Sequence, residues 1–314
     1  MIRKPRLLLT GASGFIGTHL LPTIRDAHDV VTLGRRAVPP LPHVPLDLCV
    51  PGDAPSLPPV DQVIHLAALT KKTHEPIRDA QAFHRVNVQG TGRLLRFLES
   101  SPVSHVVYVS TCDVYAASAG AIAEDSPTRG DNAYSRSKLE AEALVSLWCE
   151  QRGIPCAIVR LGNIYGPGDD SYGKLIPVAI RKALAGEPIP VHGTGRALRD
   201  VLYVSDVAQA IALVARRQAS GVFNAVSGSA TTVRRICELV DRLSAGEAGL
   251  DFVQPDAPES DRVFAPSRLT ALGWRARVSL EDGLAHDIDT LRQRDRLRRL
   301  VREQQRYVLD PLES

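Results

Sequence analysis

A chain of 314 residues, 44% hydrophobic and 23% charged, is long enough to bury a large core and has the composition of one large or two smaller globular domains. Its formal net charge of +3 gives no reason to propose a nucleic-acid partner, and no apolar run approaches a membrane span, so neither nucleic acid nor membrane is expected as a partner. Arg3, Lys4 and Arg6 precede too few apolar residues for a secretory leader, which points to the cytoplasm; Cys49, Cys112, Cys149, Cys156 and Cys237 lack metal-ligand spacing, so free thiols and no metal are expected.

Taken in chain order, Leu7-Leu8-Leu9-Thr10-Gly11-Ala12-Ser13-Gly14-Phe15-Ile16-Gly17 reads as a buried strand, a tight turn and the first turn of a helix. Glycine permits the sharp turn at Gly11, approach of a diphosphate at Gly14 and close helix–strand packing at Gly17, while the helix start faces the anion with free N–H groups. A helix over 16–27 and a strand over 30–34 follow. An acid after that strand is the usual holder of the NAD ribose 2′-OH. Here Gly34-Arg35-Arg36 offers two guanidiniums and no acid, which favours NADP(H) and leaves NAD possible.

The proline-rich stretch 39–59 reads as loop around a short segment, 44–48, whose Asp47 could bond an adenine amino group. A strand over 60–68 ends in small residues, as needed where backbone passes a bound dinucleotide, and a helix over 80–100 carries Asn87. A strand over 105–111, a helix over 133–152 and a strand over 154–161 complete the first half. Such alternation implies an α/β fold with a doubly wound parallel sheet and right-handed crossovers.

The second half predicts a helix over 172–186, a strand over 188–192 and a turn at His192-Gly193-Thr194-Gly195. A helix over 205–218 and a strand over 221–226 return to the sheet, and Thr231-Thr232-Val233 starts another helix, with Ile236, Leu239, Val240 and Leu243 as core. The stretch 280–307 is amphipathic and rich in arginine. Most of those arginines read as a wetted outer face; packing on a partner subunit, giving a homodimer, is the alternative. The expected division is a dinucleotide-binding domain of 1–162 plus 204–226, with a smaller lobe of 163–203 and 227–314.

Chemistry concentrates at Tyr134-Ser135-Arg136-Ser137-Lys138. Spacing i, i+4 puts tyrosine and lysine on one helix face, where an ammonium lowers the phenol pKa and fits it for acid/base work. Thr111, at the end of a neighbouring strand, could hydrogen-bond the same substrate oxygen.

Together these residues resemble the extended short-chain dehydrogenase/reductase family, in its nucleotide-sugar epimerase, dehydratase and reductase branch. The motifs carrying the resemblance are Thr10 to Gly17, His65-Leu66-Ala67-Ala68, Ser110-Thr111-Cys112-Asp113-Val114-Tyr115, Tyr134 with Lys138, Arg160-Leu161-Gly162-Asn163-Ile164-Tyr165-Gly166-Pro167-Gly168 and Arg199-Asp200-Val201-Leu202-Tyr203-Val204-Ser205-Asp206-Val207-Ala208. The resemblance implies a Rossmann-type sheet with a smaller C-terminal substrate lobe. It implies a cofactor site at Gly11, Ser13, Gly14, Phe15, Ile16, Gly17, Arg35, Arg36, Asp47, Leu48, Leu66, Ala67, Ala68, Asn87 and Lys138. Lys138 would hold the nicotinamide ribose and lower the pKa of Tyr134, Thr111 would position the sugar oxygen, and Asn163, Arg199 and Arg262 would bind the substrate's nucleotide diphosphate.

The family's dehydratases carry Asp-Glu after the threonine. Cys112 stands first here, a poor general acid, which argues against dehydration; Asp113 could be a base, as in the similar decarboxylases, or could cap the following turn. The expected activity is NADPH-linked reduction of a nucleotide-diphosphate-linked keto-deoxysugar, with C4 as the reacting carbon. An NAD-dependent UDP-hexose 4-epimerase is the alternative, ahead of a decarboxylase or a non-catalytic dinucleotide sensor.

Overall fold

The computed structural model describes residues 3–50, 52, 56–70, 80–118, 120–169, 173–254 and 260–309, the backbone alone at 299 and 302–309. In chain order the elements are β1 Arg6–Thr10, α1 Phe15–Ile24, β2 Asp29–Gly34, β3 His43–Pro45, β4 Gln62–His65, α2 Gln81–Phe83, a π-helical segment His84–Gln89, α3 Gly90–Phe97, β5 His105–Thr111 and α4 Ala133–Glu150. Then follow β6 Cys156–Leu161, β7 Asn163–Tyr165, α5 Leu175–Leu184, β8 Ile189–His192, β9 Leu198–Tyr203, α6 Val204–Arg216, β10 Gly221–Ala225, β11 Ala230–Thr232, α7 Val233–Ser244, β12 Leu250–Val253, α8 Ser267–Ala271 and α9 Leu280–Leu309.

The chain forms two compact units. The first, Met1–Ile164 with Leu198–Ala230 and Asp261–Arg277, is built on a seven-stranded sheet of order β10-β6-β5-β4-β1-β2-β3. Every neighbouring pair in that sheet is parallel. A parallel sheet buried on both faces needs apolar residues on both sides of each strand, and β1 supplies them: Leu7 and Leu9 enter one core with α1 and α6, while Leu8 enters the other with Leu94, Ala141 and Val145. This is the doubly wound Rossmann-type α/β fold. Strand order reverses between β1 and β4, the place in such sheets where ligands settle beyond the carboxyl ends of the strands.

The second unit comprises Tyr165–Ala197, Thr231–Ser260 and Val278–Ser314. Within it β8 and β12 pair in parallel, and α7 packs between α5 and α9. Ile236 and Val240 are buried on α7, as their spacing predicts, and Leu284, Ile288 and Leu291 are buried on α9.

Several boundaries differ from the sequence reading. Segments 198–203 and 261–277, assigned there to the smaller lobe, pack in the first unit: Arg262 N donates to Leu198 O at 2.9 Å, and Trp274 Nε1 donates to Asp206 O at 3.3 Å. The expected strand 60–68 keeps its ladder only to His65, because the N–H of Ala67 turns to the Thr10 side chain instead of a neighbouring strand. The expected helix 80–100 widens into a π-helical turn over His84–Gln89. The helix expected from Tyr172 is described from Leu175; Tyr172 itself lies outside the described residues.

Candidate active site

Gly11 takes φ +72°, and a Cβ there would come within 2.8 Å of Ala67 N. A Cβ on Gly17 would stand 2.3 Å from Gly11 O, so helix and turn meet with no room for a side chain. Gly14 begins α1 with extended backbone, no side chain caps it, and the first turn carries no acid. The helix start is therefore left open to an anion, with Ser13 half-buried and Gly14 exposed at its mouth. Phe15, Ile16 and Leu66 are anchored on the core of the α1 and α6 face.

A hydrogen-bonded chain ties this turn to the end of β4. Thr91 Oγ1 donates to Asn87 O at 2.6 Å and so accepts from His65 Nε2, 2.9 Å away. His65 Nδ1 then accepts from Thr10 Oγ1 at 2.6 Å, and Thr10 Oγ1 accepts the N–H of Ala67 at 3.1 Å. This assigns His65 the neutral Nε2–H tautomer. Burial pushes its pKa down to about 3, with the charge of Lys138 adding to the effect. Asn87, expected at the cofactor, is spent inside the protein: Oδ1 accepts Leu69 N at 2.7 Å, and Nδ2 donates to Leu69 O at 3.1 Å and Ser137 Oγ at 2.9 Å. It braces the segment holding Ala67 and Ala68, and the wider π turn carries it.

Other expected cofactor residues sit at the β2 edge. Arg35 and Arg36 are exposed directly after β2. Asp47 uses Oδ1 to accept Cys49 N at 2.9 Å, and the Leu48 carbonyl accepts from Arg93.

The α4 start is fixed by a reciprocal cap: Asn132 Oδ1 accepts Ser135 N at 3.0 Å and Ser135 Oγ accepts Asn132 N at 3.2 Å. That cap holds Tyr134 in the first turn, half-buried, its ring 5.6 Å from Phe83. Lys138, one turn on, is buried; Nζ donates to Val109 O at 2.7 Å and lies 4.3 Å over the Tyr108 ring. Burial lowers its pKa to about 7, against the opposing pull of Glu142. Thr111 ends β5, its Oγ1 accepting Asp113 N at 3.2 Å while its hydroxyl proton stays available to donate.

Cys112 points the other way. It is 2% exposed, its Sγ donates to Arg160 O at 3.5 Å, and burial pushes its thiol pKa well above the usual value. The network behind it was not anticipated from sequence. Arg160 donates to both Glu142 oxygens at 3.1 and 2.7 Å, Tyr115 Oη donates to Asn224 Oδ1 at 2.7 Å, and Glu124 Oε1 accepts Asn224 N and Arg268 N. An acid isolated in a loop, as Glu124 is, carries no periodicity to betray its burial.

The three residues expected at the diphosphate are brought together by β9. Arg199 and Arg262 face each other across a parallel bridge, and Asn163 Nδ2 donates to Asp200 O at 3.2 Å. Buried Asp200 secures the bend beyond, accepting Ser227 N, Ser227 Oγ and Gly228 N at 2.7–2.9 Å.

A glycine turn at the switch point of a parallel sheet, with a Tyr/Lys pair on the helix after the neighbouring strand, defines an extended short-chain dehydrogenase/reductase. The chain belongs to the NAD-dependent epimerase/dehydratase family, whose model matches residues 7–225. It is 31% identical over 306 residues to dTDP-glucose 4,6-dehydratase of Streptomyces griseus, covering 89% of this chain and 92% of that protein. Among solved structures it resembles MoeE5 in complex with UDP-glucose and NAD, at 31% identity and TM-score 0.79, over 92% of this chain and 99% of that one. It also resembles the UDP-glucose 4-epimerase of Thermus thermophilus in complex with NAD, at 26% identity and TM-score 0.78, over 91% and 99%. The chain is an enzyme of this family. Among its described residues no helix is long and apolar enough to cross a membrane.

Proposed function

We propose that this enzyme is an NAD-dependent 4-epimerase of a UDP-linked hexose. The turn Gly11 to Gly17 would hold the dinucleotide diphosphate with the segment Leu66 to Ala68 beside it, and Asn163, Arg199 and Arg262 would hold the diphosphate of the sugar nucleotide, for which arginine's planar fork is suited. The first unit is on this reading the dinucleotide-binding part, and it also holds Asn163, Arg199 and Arg262. Bound nicotinamide supplies the acceptor, and on return the donor, of the hydride at C4.

The protein's own part is proton traffic and positioning. Tyr134, as phenolate, takes the proton of the sugar 4-hydroxyl as the ketone forms and gives it back after the keto sugar has turned its other face. Thr111 donates a hydrogen bond to the same oxygen, and Lys138 supplies the nearby charge that keeps the phenolate accessible. The observation that carries the reading is Cys112: the position where dehydratases of the family place an acid holds a buried thiol donating to Arg160 O, so elimination of water has no acid there. Relatives that bind NAD with a UDP sugar favour the epimerase over a reductase.

Tyr134→Phe should reduce conversion of UDP-glucose to UDP-galactose by about 10²–10⁴-fold, the usual worth of a positioned acid/base, with NAD affinity nearly unchanged. Chromatography of the sugar nucleotides and NAD titration would measure both, and unaltered turnover would remove Tyr134 from the mechanism. A second reading, NADPH-linked reduction of a keto sugar, rests on the exposed Arg35 and Arg36 after β2, where no acid stands. It predicts that Arg35→Ala with Arg36→Ala weakens NADPH far more than NADH, and consumption of NADPH with a UDP-4-keto sugar would favour it.

A further inference from the structure

The net charge of the chain conceals a segregation. From Arg292 to Arg306 there are seven arginines and two acids, a net +5; with +3 for the whole chain, the remainder carries −2. That stretch lies wholly on α9, from its middle onward. The same helix changes character along its length. In its first half Leu284, Ile288 and Leu291 are 0%, 1% and 5% exposed in the core of the second unit, whereas Leu297, Leu300 and Val301 are 62%, 48% and 52% exposed.

Residues at i, i+3 and i+4 fall on one helix face, so Leu297, Leu300 and Val301 make a continuous apolar ridge. Arg296 and Arg298 beside it are exposed, and Arg298 reaches Asp295 on its own helix, at 3.8 Å. A ridge of large aliphatic side chains held in water costs free energy unless something covers it, and the arginines set the chemistry of the cover. Nucleic acid would match the charge but has no use for the ridge. A second copy packed ridge to ridge would bring the two sets of arginines against each other.

We propose that the distal half of α9 lies on the surface of an anionic lipid bilayer, with Leu297, Leu300 and Val301 immersed at the headgroup level and the exposed Arg296 and Arg298 on lipid phosphates. The helix lies on the membrane without spanning it, consistent with the lack of a span-length apolar helix among the described residues.

The test is co-sedimentation of the full-length protein with vesicles of phosphatidylcholine alone or mixed with phosphatidylglycerol. Binding is expected only to the mixed vesicles and should weaken about tenfold or more between ~0.1 and ~0.5 M salt, as screening shortens. The triple variant Leu297→Gln, Leu300→Gln, Val301→Gln keeps helix propensity and charge; it should lose at least about tenfold in vesicle affinity with unchanged thermal unfolding. No binding to mixed vesicles would overturn the proposal. So would binding equal in the variant, or equal affinity for a DNA oligonucleotide, since charge alone would then suffice. A native dimer that the variant dissolves would overturn it too, by giving the ridge to a second copy.

Discussion

Tyr108 sits behind the proposed catalytic pair and shows how a residue can serve a site without touching substrate. Its ring lies 5.6 Å from His65 and under the Lys138 ammonium at 4.3 Å, while its hydroxyl is buried with no hydrogen-bond partner among the described residues. Burial pushes that phenol far above the usual range, so it never ionises in place of Tyr134. The hydroxyl is thus a cost, while the ring's face is what Lys138 uses. Tyr108→Phe should therefore stabilise the protein by about 1 kcal/mol, read as a raised urea midpoint at constant slope, and leave turnover within about twofold. A lowered midpoint would mean that the hydroxyl is satisfied. Nothing in the run His105 to Thr111 distinguishes this tyrosine from its aliphatic neighbours, whereas Tyr134 declares itself through the lysine one turn along.

At the scale of elements, the position of Tyr134 depends on how α4 begins. Asn132 satisfies one orphan N–H of the helix and Ser135 returns the bond, so the first turn is pinned at both sides. Asn132→Ala should cost about 1 kcal/mol of stability and lower turnover by loosening Tyr134, and Asn132→Asp, which keeps the cap acceptor, should restore both. Equal losses in the two variants would show that the cap is incidental. The elements that proved legible from sequence share one property: they are long and apolar on both faces, as β1, β2 and β5 are, or strongly periodic, as α7 is. What escaped is short or polar. β9 interrupts its apolar residues with Arg199, a candidate diphosphate residue, and Asp200, which secures the bend beyond, and β7, β11 and β12 have three or four residues each. The candidate site can be read where the proposed chemistry demands spacing, at the glycines and at Tyr134 with Lys138, and cannot where tertiary contacts decide. Asn87 shows the limit: its residue type suited a ligand, and the fold spends its amide on Leu69 and Ser137.

For the molecule as a whole, covering a parallel sheet on both faces forces the ionisable groups near its carboxyl ends into a medium that resists charge. Lys138 has its pKa lowered by burial to about 7 and His65 to about 3, so each is held neutral over a range in which the unfolded chain would protonate it. The sign follows from which state binds more protons. From about pH 10.5 down to 7 the unfolded state takes up the lysine proton first, and from about 6.5 down to 3 the histidine proton, so stability falls with falling pH through both windows, by on the order of 4 kcal/mol in each. Asp61, held low by the N–H of Arg6 and the Arg3 guanidinium, adds to the loss at the acid end, whereas buried Asp200, whose pKa is raised, works in the opposite sense there. Urea midpoints should accordingly rise from about pH 5 to about pH 9. Lys138→Met, which fills the same space without a proton to lose, should raise the midpoint near neutrality and flatten the limb above about pH 7, leaving the acid limb to His65. A variant whose midpoint still climbed as steeply above neutrality would show that Lys138 is charged in the native protein, and that the phenolate of Tyr134 is supported by a full ammonium instead of one poised near its titration.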